Sequence, residues 1–139
     1  MSEKNFTIET AEALLKEKFA PWVQDLGLSF DSIGDRQVLM RVASSSRLNR
    51  EGGTICGQAI MAAADTAMVF AVASLMDGFV PMTTVSQSSS FLRAASEADL
   101  MVDARIIKPG RTIVYGEVNL YTDTPEKPVA HITSTYMLL

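Results

Sequence analysis

Residues 59–76, AIMAAADTAMVFAVASLM, form eighteen consecutive positions of apolar or small side chains, interrupted near the middle by one carboxylate, Asp65. So long and uniform a run predicts a helix hidden on nearly all sides, inside either lipid or protein. A membrane span needs roughly 20 residues, rich in large apolar side chains and flanked by basic anchors. Here seven of the eighteen are Ala, no Lys or Arg borders the run, and a charge sits where hydrocarbon would be thickest. The expectation is a soluble protein whose own chain encloses the helix, with no membrane partner. A charge left inside such a helix is costly unless it is paired or put to use. Asp65 is therefore either a structural carboxylate, tied to backbone or to Thr66, or the seat of chemistry.

The flanking sequence supplies the enclosure. Thr7 or Thr10 can cap a first helix whose Ile8, Ala11, Leu14, Leu15 and Phe19 have helical spacing, and Pro21 is expected to end it. Residues 28–33 and 37–43 read as strands joined by a turn at Gly34-Asp35. Residues 44–57 form an irregular loop whose Gly52-Gly53 precedes the long helix, giving close backbone approach and exposed N–H groups. In residues 81–92 (PMTTVSQSSSFL), Val85, Gln87, Ser89 and Phe91 alternate against Thr84, Ser86, Ser88 and Ser90. That pattern favours a strand over a Ser-rich linker. Residues 100–108, 112–121 and 129–138 are clearer strands, and their short connections suit an antiparallel meander. The 139 residues fit a single domain, 1–139, of α+β class: one long central helix wrapped by a curved antiparallel sheet of about five to six strands.

Charge and reactive side chains exclude several function classes. The net charge is -4 with Lys and Arg scattered, so nucleic acid is not an expected partner. One Cys and one His leave neither an internal disulfide nor a conventional metal cage. The start, MSEKNFTIETAEALLKEKF, lacks the apolar core of a secretory signal, and a cytoplasmic protein is expected.

Four segments carry a family resemblance: GGTICGQAIMAAADTA (52–67), TTVSQSSSFLRAA (83–95), KPGRTIVYGEV (108–118) and the closing VAHITSTYML. In their order and spacing the chain resembles the hotdog-fold acyl-CoA thioesterases of the PaaI-like (phenylacetyl-CoA-type) branch. The resemblance implies hydrolysis of an acyl-CoA to free acid and CoA, with no cofactor beyond the coenzyme A of the substrate. It also implies a homodimer, further paired as a homotetramer (a dimer of dimers), with active sites at the subunit interface.

That family carries a Gly-containing loop, then His-Gly-Gly at the helix start, then Asp eight residues after the first of those glycines. The corresponding residues here are Cys56, Gly57, Gln58 and Asp65. The resemblance assigns the Gly57 N–H to polarise the thioester carbonyl and Asp65 to act as general base or nucleophile, with Thr84 orienting water or carboxylate. Asn49 and Arg50 in the approach loop, Cys56 and Gln58 at the helix start, and Arg93, Lys108, Gly110 and Arg111 near the expected pantetheine and nucleotide complete the substrate-binding candidates. Geometry adds one argument. Eight helical residues separate Gly57 from Asp65 by about 12 Å along the axis and roughly 80° around it. One chain could hardly bring both to a single carbon, whereas two antiparallel helices across a dimer could. His131 stands on the last predicted strand, remote from the helix, which disfavours a dehydratase on the same fold. Cys56 in the family's His position leaves a non-catalytic acyl-CoA binding module as the other alternative.

Overall fold

The computed structural model describes residues 5–95 and 97–139. The helices are α1 (Ile8–Lys18), α2 (Pro21–Gln24) and α3 (Gly57–Met76), with a 3₁₀ turn at Ser46–Leu48. The strands are β1 (Leu28–Gly34), β2 (Gln37–Val42), β3 (Met82–Phe91), β4 (Leu100–Pro109), β5 (Ile113–Tyr121) and β6 (Ala130–Leu138). All six join one antiparallel sheet in the order β1-β2-β4-β5-β6-β3. Helix α3 packs on its inner face, chiefly over β4, β2 and β5. This is the expected hotdog arrangement, and residues 82–91 form a strand, not a linker.

The apolar run is long enough to cross a membrane by length and composition, yet 67% of its most apolar stretch is buried inside the protein. Its alanines let the sheet close on it: Ala63, Ala64, Ala67 and Ala71 are fully buried, with Met68 and Phe70 filling the space between elements. Phe70 anchors the N-terminal layer, stacking on Phe19 at 5.3 Å and Phe6 at 6.4 Å and meeting Phe30 edge-on at 4.8 Å. Burying a ring of this kind stabilises by roughly 1.5–3 kcal/mol. Asp77 ends α3 in the left-handed conformation (φ 56°), and its carboxylate accepts the backbone N–H groups of Asn5 (2.8 Å) and Phe6 (3.0 Å). The end of the central helix thus holds the segment that starts α1.

Local details depart from the expectations in two places. Thr7 is the N-cap of α1 with Thr10 as its capping-box partner, and the helix stops at Lys18, before Pro21. Pro21 instead opens α2, at a first-turn position where its missing N–H costs nothing. The β1–β2 turn is Asp35-Arg36, one residue later than expected, because Gly34 still pairs with Gln37 and Arg36 takes the left-handed conformation (φ 58°).

Ser134, on the inner face of β6, is 1% exposed, and its Oγ has no hydrogen-bond partner among the described residues. Ser134→Ala removes a desolvated, unsatisfied hydroxyl and should raise unfolding stability by about 1 kcal/mol. A lower urea midpoint for that variant would show that the hydroxyl has a partner.

Candidate active site

The approach loop closes on itself before α3 begins. Asn49 bridges to Ile55, the Arg50 N–H donates to the Thr54 carbonyl (2.8 Å), and the Cys56 N–H donates to the Leu48 carbonyl (2.8 Å). The reversal runs through Gly52 and Gly53 at φ 97° and 81°, where a side chain would be strained. Cys56 is the N-cap, but its side chain caps nothing. The Gly57 N–H, first in the helix, therefore has no acceptor among the described residues and sits at the positive end of the α3 dipole. A Cβ at Gly57 would lie 3.4 Å from the Phe91 ring, an ordinary contact, so β3 reaches the helix start with room for a methyl group there.

Eight residues on, half-buried Asp65 faces the same strand. Its Oδ1 accepts the Thr84 hydroxyl (2.9 Å) and the Tyr136 hydroxyl, and Tyr136 Oη also lies 2.9 Å from the Asp65 backbone carbonyl. Oδ2 has no hydrogen bond among the described residues. Thr66, the alternative anchor, donates instead to the Ala62 carbonyl (2.8 Å). Burial first, then the adjacent Asp65 charge and hydrogen bond, holds the Tyr136 hydroxyl far above the ordinary tyrosine range, so it remains a donor.

A β-bulge at Val85 sets this geometry. Thr84 pairs with Tyr136, but the register slips before Ser86 pairs with Thr135. The extra residue puts Thr84 on the same face as Gln87, whose amide donates to the Met61 carbonyl (3.2 Å). The plain alternation of the sequence had set Thr84 and Gln87 on opposite faces. Through the bulge, Thr84, Gln87 and Phe91 meet Asp65, Met61 and Gly57, one stripe of α3 at four-residue steps.

The substrate-binding candidates fall into separate places. Arg50, Gly57, Phe91 and Arg93 line one cleft of about 350 Å³, with Arg93 braced on the Pro128 carbonyl (3.0 Å). Cys56 and Gln58 line a second cleft of about 240 Å³ beside the exposed Trp22. Asn49 lies in a small recess between the approach loop and the start of β4. Lys108, Gly110 and Arg111 belong to the β4–β5 hairpin. Ser74, near the end of α3, bonds the Gly34 carbonyl, and Gly34 and Gln37 continue the pairing to Arg105. That hairpin is thus at the opposite end of α3 from Gly57. A Cβ on Gly110 would sit 2.1 Å from the Ile113 carbonyl oxygen, which gives the glycine a turn-forming reason of its own. His131 pairs with Glu117 (3.0 Å) on the outer face, beside Asn119 in the sheet register.

Sequence reasoning missed Tyr136, Gln87 and Phe91 as parts of this constellation. Each lies on a correctly expected strand, but only cross-strand register tells which of them reaches α3.

Known proteins bear on this geometry. A profile of the thioesterase superfamily matches residues 52–129, more than half of the chain. A candidate thioesterase of Silicibacter sp. TM1040 is similar over 99% of this chain and 94% of its own, at 32% identity and a TM-score of 0.86. A thioesterase family protein of Silicibacter pomeroyi (22% identity, 94% and 96% covered, TM-score 0.83) has the same fold. So does the E. coli PaaI protein of the phenylacetic acid degradation operon (16%, 94% and 91%, 0.81). No curated protein sequence matches the chain. The matched stretch opens on the glycine loop, holds Gly57, Asp65 and Thr84, and continues through β5: the chain belongs to the thioesterase superfamily.

Proposed function

We propose that the protein is a cytoplasmic homodimeric acyl-CoA thioesterase whose two sites each combine Gly57 of one protomer with the partner subunit's Asp65. The observation that carries this reading is the pairing, on one helix stripe beside one sheet edge, of an unsatisfied N–H and a half-buried carboxylate with a free oxygen. Strand β3 ends the sheet, ten residues long and largely exposed. Such an edge is a template for pairing with a second copy. A two-fold axis near Gln87 would set Thr84 of one β3 opposite Ser90 of the other. Asp65 of one chain then approaches Phe91 and Gly57 of its neighbour. The same reversal carries the partner's Lys108–Arg111 hairpin toward the Arg50–Arg93 cleft, giving cations for the phosphates of coenzyme A. The homotetramer extends this unit as a dimer of dimers.

In the reaction the thioester oxygen accepts the Gly57 N–H, and negative charge grows on it as the carbonyl carbon is attacked. Oδ2 of Asp65 either takes a proton from the attacking water or attacks directly, forming an anhydride that water then opens. The C–S bond breaks and the CoA sulfur leaves as thiolate, taking up a proton to become the thiol. Thiol release from phenylacetyl-, benzoyl- and octanoyl-CoA tests the reading. Asp65→Asn should lose about 1,000-fold in turnover while circular dichroism and sedimentation still report a folded dimer. Micromolar binding of those esters without thiol release would make the protein a binding module instead.

A further inference from the structure

We infer that Tyr136 is a positioning residue for Asp65: with Thr84 it saturates Oδ1, so that Oδ2 alone is presented to the reacting group. The inference rests on the reading of Asp65 as the reacting carboxylate and adds a residue from another strand to it. Tyr136 is 1% exposed on the inner face of β6, beside the edge strand β3. A tyrosine hydroxyl carries one proton, and two acceptors lie within reach, the Asp65 backbone carbonyl and Oδ1. The carboxylate is the stronger acceptor. Thr84, opposite Tyr136 in the register, gives a second hydroxyl to the same oxygen at 2.9 Å.

Two donors fill the lone pairs of Oδ1, while Oδ2 keeps its full capacity to accept a proton or to attack. They also fix the plane of the carboxylate, which a lone donor would leave free to rotate. Among the described residues no Lys, Arg or second carboxylate pairs with Asp65, and the two hydroxyls are its side-chain hydrogen-bond partners from β3 and β6. The bulge at Val85 is what permits this. Without the extra residue, Thr84 and Gln87 could not both face α3.

Tyr136→Phe keeps the ring and removes only the hydroxyl. In phenylacetyl-CoA hydrolysis it should lower kcat about 10- to 100-fold, the worth of one hydrogen bond to a charged group, with KM within about twofold because no substrate contact is lost. Thr84→Val should act alike, and the double variant should depart from the product of the two singles, since both hydroxyls hold one oxygen. A ¹³C label on the Asp65 carboxylate needs no turnover, and its resonance should shift in Tyr136→Phe because the carboxylate loses a donor. An unchanged resonance in folded Tyr136→Phe overturns the inference. If the resonance shifts but wild-type protein releases no thiol, or Asp65→Asn keeps full turnover, the positioning role stands and the thioesterase mechanism fails.

Discussion

Gly57→Pro and Asp65→Asn should each be inactive alone, yet regain about a quarter of wild-type turnover when co-refolded in equal amounts. The expectation follows from a site shared across a two-fold axis. Random assortment makes half of the dimers mixed. In each mixed dimer one site takes an intact Gly57 from one chain and an intact Asp65 from the other, while the second site has neither. Proline suits this test for local reasons. Position 57 is the first residue of α3, where the N–H has no helical partner and proline is tolerated. Cys56 already has the extended backbone (φ -73°, ψ 152°) that a following proline demands. The substitution therefore removes the donor and little else, and Gly57→Ala, which keeps the N–H, should retain most activity. Loss of one such preorganised donor costs about 100- to 1,000-fold in kcat. Mixed dimers identified by native mass spectrometry but lacking activity would place both groups in a single-chain site.

Gly116→Ala should be the most damaging single methyl addition in the core. A Cβ there would lie 2.5 Å from Met68 Cε and 2.6 Å from the Arg105 carbonyl oxygen. The methionine end can swing aside, but the carbonyl belongs to β4, which pairs with β5 across this position. Met68 is itself fully buried, so its displacement strains further core contacts. The expected loss is about 3 kcal/mol, a large share of the marginal stability of a domain this size. A melting temperature lower by roughly 10 °C would register it. Adding Met68→Leu, which draws back the side-chain end without opening a large cavity, should recover only part, because the backbone clash remains; full recovery would show that the side chain was the whole obstacle.

Much of the fold was legible in residue order because its signals are local. The apolar run could only be an enclosed helix, and the alternation in residues 100–138 could only be half-buried strands. Even the Ser-rich residues 81–92 kept a period of two. The departures were also local: Pro21 opens a helix where it was expected to close one, and the β1–β2 turn moves by one residue. Asp65 stood out for an equally simple reason, the cost of a charge among alanines.

The surroundings of Asp65 could not be read in this way. Tyr136 lies 71 residues from it in the chain, and what joins them is the β3–β6 register with its one-residue slip at Val85. A slip of one residue reverses every later side chain on a strand, and no composition signal marks it. The separation of Cys56 and Gln58 from Gly57 into different clefts likewise depends on where the approach loop and Trp22 come to rest. Sequence alone determined that a carboxylate must lie within the central helix, because burial follows from local hydrophobicity. Only the tertiary structure decided which hydroxyls hold that carboxylate and which oxygen stays free, because long-range register is set by the packing of whole strands.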